Sequence, residues 1–203
     1  AVGIYDPVYE KHGNAIIRKG KTFGTNIYLQ LKPGQSCILT CADKKMTKSD
    51  WEYLKADETN KQELRGSWFL SPSQSIDGSE LPPPCTLKHL ESWTKSGDKY
   101  ETFSGKAIYT NTFEVPEELL HVKNFMLDLG LVRETARVRI NGKEIGLAWC
   151  IPFSLIINSG IIKKENTIEI EVTNLSFNRI LKMEREGIKW KNYRRFYNSN
   201  GRF

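Results

Sequence analysis

The chain of 203 residues is first defined by what it lacks. Its four cysteines, Cys37, Cys41, Cys85 and Cys150, include no CxxC pair. If "SCILTC" is a strand, Cys37 and Cys41 share a face at a separation of about 13 Å, beyond disulfide reach. Buried free thiols are therefore expected, and the redox compartment is left unset. The histidines His12, His89 and His121 stand singly, whereas a zinc site needs ligands that converge. No cofactor is expected, and a structural calcium cannot be read from these residues.

No apolar run approaches the ~20 residues that span a bilayer. The opening "AVGIYDPVYEKHG" has neither a basic start nor an apolar core of the signal-peptide kind. No targeting or membrane segment is read here. The first residue is alanine and the chain begins as if already in progress, so a piece of a longer protein is expected. The "GKT" at Gly20 to Thr22 resembles the end of a phosphate loop, but Ala15 stands where that loop requires glycine. GxSxG, HExxH and EF-hand patterns are absent as well.

What is present is β-pattern, aromatics and a basic tail. The formal net charge of +6 sits entirely in residues 179–203. There Arg179, Lys182, Arg185, Lys189, Lys191, Arg194, Arg195 and Arg202 face only Glu184 and Glu186. Trp190, Tyr193, Phe196, Tyr197 and Phe203 interleave with these charges, the combination that single-stranded nucleic acid uses. No recognition motif accompanies them, so a solvated or domain-packing extension is the preferred reading.

A period of two runs through most of the chain. In "TNIYLQLKPGQSCILTC" Ile27, Leu29 and Leu31 alternate with Tyr28 and Gln30, and the break at Pro33-Gly34 predicts a β-hairpin. The alternation lapses in "MTKSDWEYLKADETNKQEL", where Ser49 and Glu52 have the spacing of a capping box, so residues 46–65 read as a linker or short helix. From Gly66 strands resume in "GSWFLSPS", "GKAIYTNTFEVP", "FMLDLGLV", "ARVRINGKEIGLAW", "FSLII" and "NTIEIEVTNL". The proline-rich "ELPPPCTL" cannot be a central strand. Asn141-Gly142 supplies the positive φ angles of a type I′ turn. The expected class is all-β: an antiparallel sandwich or jelly roll over 66–178, preceded by closing strands of an upstream β domain over 1–45 and followed by the extension 179–203.

Candidate chemistry is sparse. Glycoside hydrolysis needs two carboxylates facing across a bond. Asp128 and Glu134 are the tempting pair, but alternation puts Asp128 opposite Leu127 and Leu129, where water or a turn donor satisfies it. No catalytic residue is assigned. Trp93, Trp149 and Phe153 fall at loop or strand-end positions, where a flat ring can meet the apolar face of a sugar; the alternative is a core or domain-packing role.

In order, "YDPVYEKHGNAIIRKG", "IYLQLKPGQSCILT", "GSWFLSP", "LESWTKSGDKYETFSGKAIYTNTF", "LDLGLVRETARVRINGKEIGLAWCIPF" and "NTIEIEVTNLSFNRI" resemble the C-terminal part of glycoside hydrolase family 106, the α-L-rhamnosidases. The block from Leu127 to Phe153 is also similar to the sugar-binding sandwich of family 2 glycosidases and to galactose-binding-like domains. After "REGIKWK" the sequence departs from the family pattern. The resemblance implies a non-catalytic, galactose-binding-like module of a secreted or periplasmic bacterial enzyme. Its partner would be the catalytic barrel elsewhere in the parent chain, with a glycan as a further contact. Asn178, Arg179 and Trp190 would then be domain-packing residues. Trp149 and Phe153 would meet either a glycan or the catalytic domain. A stand-alone lectin is the alternative, and a nucleic-acid binder using the tail a remoter one.

Overall fold

A computed structural model of the chain describes residues 1–20, 24–45, 47–54 and 60–189. The fold is all-β and antiparallel, with little helix. The chain divides into two compact units, Ala1–Glu63 and Leu64–Phe203.

In the first unit, β1 (Val2–Asp6) lies between β2 (Lys11–Asn14) and β5 (Ile38–Cys41). A separate ribbon pairs β3 (Ile17–Lys19) with β4 (Thr25–Ile27). The β1–β2 turn is held by Asp6, whose Oδ1 accepts the amides of Val8 (2.8 Å) and Tyr9 (3.1 Å). The hairpin expected across Pro33-Gly34 is not formed. The turn itself closes, with the Gln35 amide donating to the Lys32 carbonyl at 2.9 Å. Its flanks then part, β4 to β3 and β5 to β1. Asp6 contributes to this divergence, because its Oδ2 accepts Gln35 Nε2 at 3.0 Å and holds the turn to the start of the chain.

Residues 47–54 are not helical. Asn14 binds this segment on both sides: its amide donates to the Ser49 carbonyl (3.0 Å), and its carbonyl accepts the Trp51 amide (2.8 Å). Its side-chain Nδ2 reaches the Thr47 and Ser49 carbonyls. A segment that reads as a capping box in isolation is thus recruited as extended backbone along β2.

The second unit is a two-layer sandwich. One layer has six strands in the order β11-β10-β13-β8-β6-β7. These are β6 (Trp68–Ser75), β7 (Cys85–Leu87), β8 (Gly105–Glu114), β10 (Thr135–Ile140), β11 (Lys143–Ala148) and β13 (Glu165–Thr173). The other layer pairs β9 (Asn124–Asp128) with β12 (Ser154–Asn158). Alternation sends Trp68 and Leu70, Ala107 and Tyr109, Val138 and Ile140, and Ile168 and Ile170 inward, where they meet Leu155 and Ile157. On the outer face Arg137 pairs with Glu144 across the hairpin. Asn141 and Gly142 have φ of 52° and 75°, so the type I′ turn joins β10 to β11 as expected. The short edge strand β7 follows the prolines Pro82 to Pro84, and a bulge at Val138/Arg139 interrupts the pairing of β10 with edge strand β11. Among the described residues the unit also has two α-helices, α1 (Asp98–Glu101) and α2 (Phe177–Arg185). The start of α2 precedes Arg179, so the expected boundary at 178/179 falls inside a helix.

The cysteines are free, but they are half-buried or exposed rather than buried.

Candidate functional site

A cleft of about 390 Å³ opens beside α2 in the second unit. Three segments far apart in sequence build it: the turn after β6 (Asp77, Ser79, Glu80), the stretch around α1 (Lys99, Phe103) and α2 itself (Arg179, Lys182, Met183). The sequence "SIDGS" explains the first wall. Ser75 Oγ donates to Asp77 Oδ1 at 2.5 Å, and the Ser79 amide donates to the same oxygen at 3.1 Å. An Asp side chain that accepts a backbone amide two residues on fixes a tight turn. The other carboxylate oxygen, Oδ2, lies 2.8 Å from Arg179 Nε.

These contacts set the electrostatics. The Ser75 hydroxyl first, then the Ser79 hydroxyl and amide, with Arg179 a smaller influence, hold the Asp77 carboxyl far below the usual carboxylate range. Asp77 is therefore ionised at all physiological pH and unfit as a general acid, which needs a raised value. Further along α2, Arg185 donates to Glu101 at 3.0 Å and lowers that carboxyl too. Lys99 and Glu80 are 3.7 Å apart, and Lys182 and Glu186 4.0 Å. The cleft is thus lined by the cations Lys99, Arg179 and Lys182, the carboxylates Asp77, Glu80 and Glu186, and the apolar Phe103, Met183 and Ile188. Such a lining suits a ligand that both donates and accepts hydrogen bonds and also has an apolar face.

The residues singled out from sequence scatter. Trp93 is only 4% exposed, with Phe103 at 5.5 Å and Tyr109 at 6.4 Å between ring centroids. A sugar could not stack on it without opening the core. Beneath it, burial pushes the Tyr109 phenol up to about 12. Trp149 is 55% exposed in the β11–β12 loop, and Phe153 is half-buried against the core in the same loop. Neither lines the cleft.

Asn178 and Arg179 act within the unit. Asn178 Nδ2 donates to the Phe103 carbonyl at 3.0 Å, and the Arg179 amide donates to Ser104 Oγ at 3.1 Å. Together with Asn174, which also donates to Phe103, they fasten α2 to the sandwich. Trp190 and the aromatic part of the tail lie outside the described residues. Asp128 is exposed and accepts the Gly130 amide at 2.9 Å, the turn donor that its position requires. No group of three or more metal-ligating side chains converges among the described residues.

Sequence reasoning missed the cleft, because no segment of it is diagnostic alone. The one local signal was Ser-x-Asp-x-Ser at Ser75 to Ser79.

No family model matches the chain. A protein of Formosa agariphila provisionally named β-glucuronidase is 41% identical over an alignment of 140 residues that covers 63% of this chain and 12% of that protein. The solved structure of a rhamnosidase from Novosphingobium sp. PP1Y matches with a TM-score of 0.71 and 28% identity, over 93% of this chain and 17% of that one. A β-glucuronidase from Ruminococcus gnavus, in complex with D-glucuronic acid, overlaps over 56% of this chain and 21% of its own, with a TM-score of 0.46 and 22% identity, too loosely to carry an argument. The chain spans less than a fifth of the first two proteins it matches. In sequence and in backbone it is glycoside-hydrolase-like, similar to a part of much larger proteins.

Proposed function

We propose that the chain is a non-catalytic β-sandwich module of a bacterial glycoside hydrolase that degrades polysaccharide, of the family 106 α-L-rhamnosidase type. Its second unit would be the galactose-binding-like sandwich, and its principal partner the catalytic barrel of the parent enzyme, secreted or periplasmic. The observation that supports this most is the backbone likeness of 93% of the chain to a stretch making up 17% of a rhamnosidase. The chemistry of the carboxylates agrees with it. Asp77 and Glu101 are both shifted toward the ionised form, opposite to the direction required of a glycosidase's acid.

The test is hydrolysis of aryl α-L-rhamnoside and aryl β-glucuronide by the isolated chain. No turnover from a folded sample is expected. Turnover that survives repurification would sink the non-catalytic reading.

A second reading, a carbohydrate-binding lectin, is favoured by the mixed polar and apolar lining of the cleft beside α2. Calorimetric titration with rhamnose, galactose and a rhamnose-containing pectic oligosaccharide decides it. Saturable heat lost in Lys99→Ala would put the ligand in the cleft, and heat lost in Trp149→Ala would put it on the β11–β12 loop. No heat with any of the three would remove this second reading.

A further inference from the structure

The second unit is strongly asymmetric from end to end. A row of backbone hydrogen bonds crosses one end of the sandwich. The Leu129 amide donates to Phe153, that of Glu134 to Thr173, that of Asn174 to Gly105 and that of Ile76 to Ser104, all at 2.8–3.1 Å. Ala136 and Ala148 pair alongside them. The β9–β10 loop, the β11–β12 loop, the β13–α2 link and the turn after β6 are therefore neighbours.

Each of them points large apolar side chains into solvent. Leu131 is 88% exposed and Phe177 67%, and Ile76, Trp149, Ile151 and Leu175 are all more than half exposed. The opposite end, with the loops around residues 88–92, 115–123, 141–142 and 159–164, exposes only Leu90 and Val122 among its described large apolar residues. Six large apolar side chains gathered at one end form a patch of the kind that marks an interaction site, unlike residues scattered singly.

We infer that this end docks onto an apolar face of another domain of the same, longer polypeptide. The inference rests on the proposed function and deepens it by naming the surface. Two observations select this occupant. The proteins that share the fold or sequence carry more than four-fifths of their length outside the matched region. The patch is also built from large apolar side chains, as permanently buried interfaces are.

Hydrogen exchange tests it, comparing the isolated chain with the intact protein encoded by the full reading frame. Exchange at 129–134, 149–153 and 174–177 should slow at least about tenfold in the intact protein, with 115–123 and 159–164 unchanged. The double substitution Leu131→Asp with Trp149→Asp should leave the melting temperature of the isolated chain unaltered and abolish the added protection in the intact protein.

Equal exchange in both forms would overturn the proposal, because either nothing covers the end or part of these 203 residues already does. So would protection of the isolated chain that rises with its concentration, which would make a second copy the occupant. A reading frame that encodes only these residues would overturn it as well. Hydrolysis by the isolated chain would defeat the proposed function without changing the exchange result, so the two failures are distinguishable.

Discussion

Arg179 Nε and Asp77 Oδ2 lie 2.8 Å apart and join α2 to the turn after β6. The two partners do not contribute equally. The Asp77 side chain is 22% exposed and also holds Ser75 and Ser79, whereas the Arg179 side chain is 43% exposed. A half-exposed ion pair is worth about 0–1 kcal/mol, and a carboxylate with several charge-assisted bonds more, about 1–3 kcal/mol. In urea denaturation Asp77→Asn should therefore cost more than Arg179→Ala. The reverse order would show that the helix tether, not the turn, is what Asp77 supports.

The same carboxylate makes stability depend on acid. Its pKa is depressed in the folded chain, so its contribution is fully present above the unfolded value of about 3.9 and is lost as pH falls toward the folded value. The gap in melting temperature between wild type and Asp77→Asn should be constant from pH 7 to pH 5 and narrow steadily below pH 4. A gap that stays constant down to pH 2.5 would contradict the assignment.

Two tryptophans that look alike in sequence should behave in opposite ways. Trp93→Ala empties a core site between Phe103 and Tyr109 and should cost about 3–5 kcal/mol. Trp149→Ala removes an exposed ring and should change stability by less than about 1 kcal/mol. Denaturant midpoints measured on both variants check this directly.

Asn141 combines a positive φ with three side-chain bonds. Its Nδ2 donates to the Ile161 carbonyl and to Asn166 Oδ1, and its Oδ1 accepts the Thr167 amide, all within 3.0 Å. Asn141→Ala should destabilise by about 2–4 kcal/mol. Asn141→Gly should recover the conformational share alone. Identical losses in the two variants would mean that backbone conformation contributes nothing at this position.

Gly13 and Gly105 are each pressed against backbone. A Cβ would come within 2.5 Å of the Trp51 amide nitrogen at Gly13, and within 2.0 Å of the Gln74 carbonyl oxygen at Gly105. Alanine at either should cost about 1–3 kcal/mol or more, because backbone must move to make room. Gly13→Ala should speed exchange in residues 47–54, whereas Gly105→Ala should speed it in β6 and β8. Wild-type exchange in either variant would refute the close packing.

The features legible in sequence are the local ones. Asn141-Gly142 specifies its hairpin because two adjacent residues carry the whole signal, and the alternation of Ile168 and Ile170 with Glu169 and Glu171 places one face in the core. Pairings chosen between distant segments were not legible. Pro33-Gly34 announces a turn, but nothing near it says that β5 will take β1 as its neighbour. The cleft beside α2 joins Asp77 to Arg179 across about a hundred residues, and neither residue is unusual where it stands. α2 itself carries a helical spacing in Phe177, Ile180, Leu181 and Met183, which the basic tail that follows it obscured. Trp93 does lie in a connection, the 3-10 turn before α1, but its ring turns inward to Phe103 and Tyr109, the core alternative to a sugar contact.

The borders of the six-stranded sheet bear on how the molecule behaves at high concentration. An unprotected border strand templates the addition of another chain, and with it fibril growth. Here one border is three residues long and follows three prolines, which have no amide hydrogen to offer; the other begins with Lys143 and Glu144 and is kinked by the bulge opposite Val138. Strand addition is thus discouraged on both flanks. Self-association through this six-stranded sheet should therefore be side-chain-mediated and reversible, sensitive to mild detergent, and without the dye-binding signature of amyloid.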